Sequence, residues 1–100
     1  MKVLFGRAAR TETTEALKWY LENIGPMRAE AFERDLAGAV ELAARNPELG
    51  TPGVGQTRNL PLSRFPYTLH YVADAGQLQV LAVAHQRRKP GYWVSDRAKR

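Results

Sequence analysis

The feature that most constrains this chain is a change of hydrophobic period near its middle. Up to residue 45 the apolar residues recur at helical spacing, and beyond residue 58 they alternate. Leu17, Tyr20, Leu21 and Ile24 fall at i, i+3, i+4 and i+7, one face of a helix, with Thr11, Thr13 and Thr14 as candidate N-caps. Gly25-Pro26 ends that helix, because proline cannot continue the backbone hydrogen-bond ladder. Ala29, Phe32, Leu36, Ala39 or Val40, and Ala43 then define a second helix, which Asn46-Pro47 closes. Two amphipathic helices with so short a break fold back as an antiparallel hairpin.

Val3-Leu4-Phe5 reads as a short strand before the hairpin, and Gly50 to Gly55 as a connecting loop. Arg58 to Leu62 is expected to be a short strand that Pro61 places at an edge or bulge. Tyr67, Leu69, Tyr71 and Ala73 alternate with Thr68, His70 and Val72; after Asp74-Ala75-Gly76 the run Leu78 to Ala84 resumes, apolar on both faces. That is a hairpin whose second strand is interior to the sheet. The expected class is α+β in the order β-α-α-β-β-β, a helical hairpin packed on a small, mostly antiparallel curved sheet.

Length supports one domain, assigned to residues 1–93 with a flexible basic tail at 94–100. The chain has no cysteine, which excludes disulfides, thiol nucleophiles and iron–sulfur clusters, and its two histidines, His70 and His85, lack a metal-ligand spacing. No metal and no cofactor are expected. No apolar run approaches the roughly 20 residues that cross a bilayer, and the first residues do not resemble a signal peptide, so the expectation is a cytoplasmic protein without a membrane partner.

The formal net charge of +5 is unevenly placed. Residues 1–84 hold nine basic and nine acidic side chains, whereas residues 85–100 hold Arg87, Arg88, Lys89, Arg97, Lys99 and Arg100 against Asp96. Such a segment suits an acidic protein or a nucleic acid. With Tyr92 and Trp93 it interleaves cations and aromatics, a composition able to hold phosphates and stack on bases. The alternative is a solvated tail with Trp93 folded back onto the helices. His85 at a strand end is either a general acid or base or a tie for that strand end. Trp19 sits at the margin of the first helix, where it would meet a partner.

Across nearly its whole length the sequence resembles the RelE/ParE superfamily of toxins from type II toxin–antitoxin modules. The resemblance is carried by Trp19-Tyr20, Phe32, Asn46-Pro47-Glu48-Leu49-Gly50, Arg58-Asn59-Leu60, Arg64-Phe65-Pro66-Tyr67, Tyr71-Val72 and Val83-Ala84-His85-Gln86-Arg87-Arg88. It implies a toxin neutralised by a cognate antitoxin, with one of two activities. RelE-like members cut mRNA on the ribosome with sheet arginines and a C-terminal tyrosine, whereas ParE-like members inhibit DNA gyrase. The positions expected to carry those arginines hold Thr68 and Gln86, which favours the ParE-like branch. If the chain were a metal-independent endoribonuclease, Arg58, His85, Arg88 and Tyr92 would be its catalytic residues. A third reading is a family member that binds its antitoxin without toxicity. Residues expected to contact target or antitoxin are Trp19, Arg58, Arg64, Arg87, Arg88, Lys89, Tyr92 and Trp93.

Overall fold

The change of period becomes a two-layer α+β structure, seen here in a computed structural model that describes residues 1–89 and 91–94. Strand β1 (Lys2–Phe5) leads into α1 (Arg7–Asn23) and α2 (Pro26–Arg45); β2 (Thr51–Pro52), β3 (Arg58–Pro61), β4 (Tyr67–Asp74) and β5 (Gln77–His85) follow. The sheet order is β1-β5-β4-β3-β2, with β1 parallel to β5 and every other pair antiparallel. The expected order of elements is therefore present, with one addition: within the loop from Gly50 to Gly55, Thr51 and Pro52 pair with Asn59 and Arg58 as a two-residue strand. Because β2 covers only that half of β3, Pro61 lies at an open edge, where its missing N–H leaves no ladder bond unmade.

Helix α1 departs from its sequence pattern in two ways. It starts at Arg7, with Gly6 at the N-cap, so Thr11, Thr13 and Thr14 lie inside it; the Thr13 hydroxyl donates to the Ala9 carbonyl at 2.9 Å. Gly6 N–H still donates to the Val80 carbonyl at 2.9 Å, so the chain passes from strand into helix without room for a capping turn. Its buried face is Ala9, Ala16 and Tyr20, while Leu21 and Ile24 are 54% and 60% exposed. At about 100° per residue those three buried positions share one narrow stripe, and Leu21 lies a quarter-turn away from it. Small alanines let the helix approach the sheet, and that contact sets the rotation of the helix. In α2 the buried residues are Ala29, Phe32, Leu36, Ala39 and Ala43, the face that the period indicates.

The main core lies between hairpin and sheet. Tyr20, Phe32 and Phe65 form its aromatic centre, with ring centroids 5.1 to 5.6 Å apart. A smaller cluster, Val72, Leu81, Ala82 and Trp93 with Tyr92 and Val94 against it, occupies the opposite face of the sheet. A bulge creates it: His70 pairs with Ala82 and Tyr71 with Val80, so Leu81 is unopposed and turns with Ala82 to the side away from the helices. Trp93 thus packs on the sheet face opposite the helices, which corrects the alternative in which it folds back onto them. Val94, the first residue assigned to the tail, packs with it; residues 95–100 of that tail lie outside the described residues.

Two local devices fix the loops. Asp35 on α2 accepts from the Ser63 hydroxyl at 2.7 Å and from the Arg64 and Phe65 N–H groups at 2.9 Å each. Burial alone would push its carboxyl up, but these bonds outweigh burial and hold it below the ordinary carboxylate value. The contribution is complete above that ordinary value and fades as pH falls through the depressed one. Asp35→Ala is expected to cost about 1–2 kcal/mol near neutral pH. The difference from the parent protein should shrink in denaturation curves as pH falls through that depressed value.

The second device is the turn between β4 and β5, whose two central residues, Ala75 and Gly76, have φ of +53° and +75°. Two positive φ values make the mirror-image turn that suits hairpin twist, but an alanine there is strained. Ala75→Gly is expected to raise stability by about 0.5–1 kcal/mol, read from the urea midpoint.

Candidate binding site on the open face of the sheet

Beyond His85 the chain turns and comes back across the sheet face that the helices leave open. The Arg88 N–H donates to the His85 carbonyl at 2.9 Å, the Tyr92 N–H to the Lys89 carbonyl at 3.2 Å, and Trp93 comes to rest with its ring 4.6 Å from that of His70. Between this returning segment and the sheet lies a cavity of about 330 Å³. Asn59, Thr68 and His70 contribute from β3 and β4, and Gln86, Arg88, Lys89 and Tyr92 from the segment. His70 is oriented by Asn59, whose Oδ1 lies 2.6 Å from its Nδ1.

What holds the segment in place is Glu12 of α1, a residue to which the sequence drew no attention. Strand β1 accompanies β5 only as far as Val80, so the Val83 N–H has no strand partner; the Glu12 Oε1 accepts it at 3.0 Å. The other carboxylate oxygen accepts from the Tyr92 hydroxyl. One side chain therefore satisfies an orphan amide and ties the C-terminal segment to the helix. The length mismatch of the two strands signals that some acceptor is needed, but nothing in the spacing links residue 12 to residues 83 and 92.

Of the residues singled out from sequence, His85, Arg88, Lys89, Tyr92 and Trp93 line this cavity together, and the others lie elsewhere. Arg58 is opposite Tyr71 on the helical side of the sheet, where its Nη1 donates to the Gly50 carbonyl at 2.8 Å and the Glu48 carbonyl at 3.2 Å. There it braces the loop with the buried Tyr71 hydroxyl, which accepts from the Gly50 N–H and donates to the Pro47 carbonyl. A side chain at Gly50 would meet that hydroxyl at 2.8 Å, so this close approach requires glycine. Arg64 lines a different groove with Arg34, Asp35 and Leu60. Arg87 and Lys89 are exposed in the turn, and the Arg88 guanidinium lies 3.8 Å over the Tyr92 ring. His85 accepts the Arg87 N–H on Nδ1 at 3.0 Å and sets its ring edge-on to Tyr67, 5.0 Å between centroids. The strand-end tie is thus made by this nitrogen. Tyr67 is itself kept neutral: burial, and then neighbouring Tyr20, pushes its hydroxyl up to about 12.

The cavity floor thus carries Thr68 and reaches Gln86 where the RNA-cutting relatives are expected to carry arginines, and its cations come only from the turn. Among the described residues, no three His, Asp or Glu side chains gather as a metal site, and no helix is long and apolar enough to cross a membrane.

A family model described as the ParE toxin of the type II toxin–antitoxin system parDE matches residues 3–90. The chain belongs to the ParE toxin family. The ParE match takes in both helices and, from Val3 onward, the five strands of the described residues together with the basic turn, and stops short of Tyr92 and Trp93. Among solved structures, this ParE-family chain is similar to one titled as the chromosomal ParDE TA system from P. aeruginosa. The TM-score is 0.74 at 24% identity, covering 85% of this chain and 95% of the other, a likeness of fold. No curated protein sequence matches.

Proposed function

We propose that this ParE-family protein is a cytoplasmic toxin that inhibits DNA gyrase and is neutralised by a cognate antitoxin encoded beside it. The observation that carries the choice of target is the separation of Arg58 from the other three candidate ribonuclease residues, His85, Arg88 and Tyr92, which line one cavity whose floor holds Thr68 and whose rim holds Gln86 in place of arginines. Arg58 lies on the other face of the sheet with its guanidinium bonded to two carbonyls, the His85 Nδ1 is bonded to the Arg87 amide, and the Tyr92 hydroxyl donates to Glu12. General acid–base cleavage needs a base within reach of the ribose hydroxyl and cations at the phosphate. Arg88 is the one cation of the four on this face, and it is engaged with Tyr92. Membership of the ParE family supports the same reading.

The antitoxin would lie along the apolar groove where the hairpin meets β1, lined by Val3, Phe5, Leu17, Leu36 and Val40, with acidic residues reaching the basic turn. Replacing Arg87, Arg88 and Lys89 by Ser is expected to weaken the isolated complex severalfold at low salt and less at high salt. An affinity unchanged at low salt contradicts the electrostatic part. Expression of the protein alone should arrest growth, and co-expression of the neighbouring open reading frame should restore it. Primer extension on translated mRNA should show no codon-positioned cuts. Normal growth on expression alone would favour the non-toxic, antitoxin-binding reading.

A further inference from the structure

The cavity of about 330 Å³ between the returning segment and the open sheet face is lined by Arg88, Lys89, His70 and His85 and by no carboxylate. A recess of one sign concentrates ions of the other. Its two cations are held out for use. The Arg88 guanidinium lies 3.8 Å over the Tyr92 ring, a contact that engages its flat face and leaves its in-plane N–H groups. Among the described residues, neither those N–H groups nor the Lys89 ammonium meets a carboxylate or another acceptor. Tyr92 is itself tied to Glu12, so the guanidinium is positioned before any ligand arrives. On the cavity floor the Thr68 hydroxyl has no hydrogen-bond partner among the described residues, and the Asn59 amide keeps its N–H groups to spare, its oxygen being the atom that meets His70.

We infer that this cavity seats one backbone phosphodiester of DNA, with Arg88 and Lys89 on its anionic oxygens and Thr68 and Asn59 donating from the floor. A guanidinium fork alone would satisfy a carboxylate from a protein partner and leave the floor donors unserved; a phosphodiester has oxygens for both. The contact is to the backbone and carries no base sequence. Trp93 is 4% exposed and the Tyr92 ring carries Arg88, so the aromatics hold the cations in place instead of stacking on bases. The proposal rests on the gyrase reading only for DNA as the source of the phosphate. Acidic residues of an antitoxin that reach Arg87 and Lys89 would then compete with the DNA for the same turn.

The test uses neither toxicity nor gyrase. Short duplex DNA with a fluorescent label is titrated with the full-length protein across a series of salt concentrations. Affinity should fall as salt rises, and Arg88→Gln should weaken it about tenfold at low salt and flatten the plot of log affinity against log salt by about 0.9, the slope of one phosphate contact. Thr68→Val removes no charge and should still weaken binding about tenfold, whereas Thr68→Ser, which keeps the hydroxyl, should bind as the parent does. Arg34→Gln takes an exposed cation from α2 and should change affinity by less than about twofold. No DNA binding at low salt, parent-like binding by Thr68→Val with a parent-like urea midpoint, an equal loss from Arg34→Gln, or RNA bound in place of DNA would each overturn the proposal. A failed supercoiling assay would refute the target and leave the seat standing.

Discussion

Phe32→Ala should be the most damaging single truncation in the chain, with an expected loss of about 3–5 kcal/mol. Phe32 is fully buried on α2 and stacks on Tyr20 at 5.6 Å, with Phe65 at 5.5 Å and Tyr67 at 5.1 Å meeting it edge to face. Removing the ring deletes the apolar burial and leaves a cavity among three other rings that cannot all close on it. A domain of this size commands only about 5–15 kcal/mol in total, so the variant should be partly unfolded at physiological temperature. Phe32→Leu keeps most of the volume and should cost less than half as much. Urea denaturation followed by far-UV circular dichroism reads both, and an effect of Phe32→Ala below about 1.5 kcal/mol would show that the aromatic centre is not the core of the fold.

Trp93→Ala comes next, with an expected loss of about 3 kcal/mol. Trp93 is 4% exposed, and it covers Val72, Leu81 and Ala82 on the open face of the sheet. Its loss bares that second cluster and releases one attachment of the returning segment, another being Tyr92 on Glu12. Limited proteolysis after Arg87 or Arg88 should therefore accelerate along with the drop in stability, while Trp93→Phe should restore most of both. A Trp93→Ala variant as stable and as resistant as the parent would mean that the segment does not dock.

How much of this was legible in the sequence depended on whether local spacing or tertiary contact decides each feature. The buried face of α2 was readable, because Phe32 and Leu36, which anchor its period, are buried, while its other large apolar residues Met27 and Leu42 lie off that face in solvent. For α1 the helix was readable and its rotation was not: alanines at 9 and 16 choose the contact, and Leu21 and Ile24, which dominate the pattern, stay in solvent. The double-sided apolar run of β5 identified an interior strand. The bulge that turns Leu81 and Ala82 to one side left no mark in a run apolar on both faces.

The site shows the same division. The basic turn and the substitution of Thr68 and Gln86 were visible as residue types in order. The resemblance groups Arg58 with His85, Arg88 and Tyr92, although cross-strand pairing with Tyr71 sends it to the other face, a consequence of register. Glu12 went unnoticed because its role depends on β1 ending at Phe5 while β5 runs on to His85.

The central claim is that this ParE-family chain acts on gyrase and does not cut RNA. Its most direct test is ATP-dependent supercoiling of relaxed plasmid by purified gyrase, titrated with the purified protein. The account predicts that supercoiling falls as protein is added, that cleaved DNA accumulates on denaturing the reaction, and that prior addition of the antitoxin prevents both. Full supercoiling with the protein in large molar excess over gyrase, and no cleaved DNA, would contradict it.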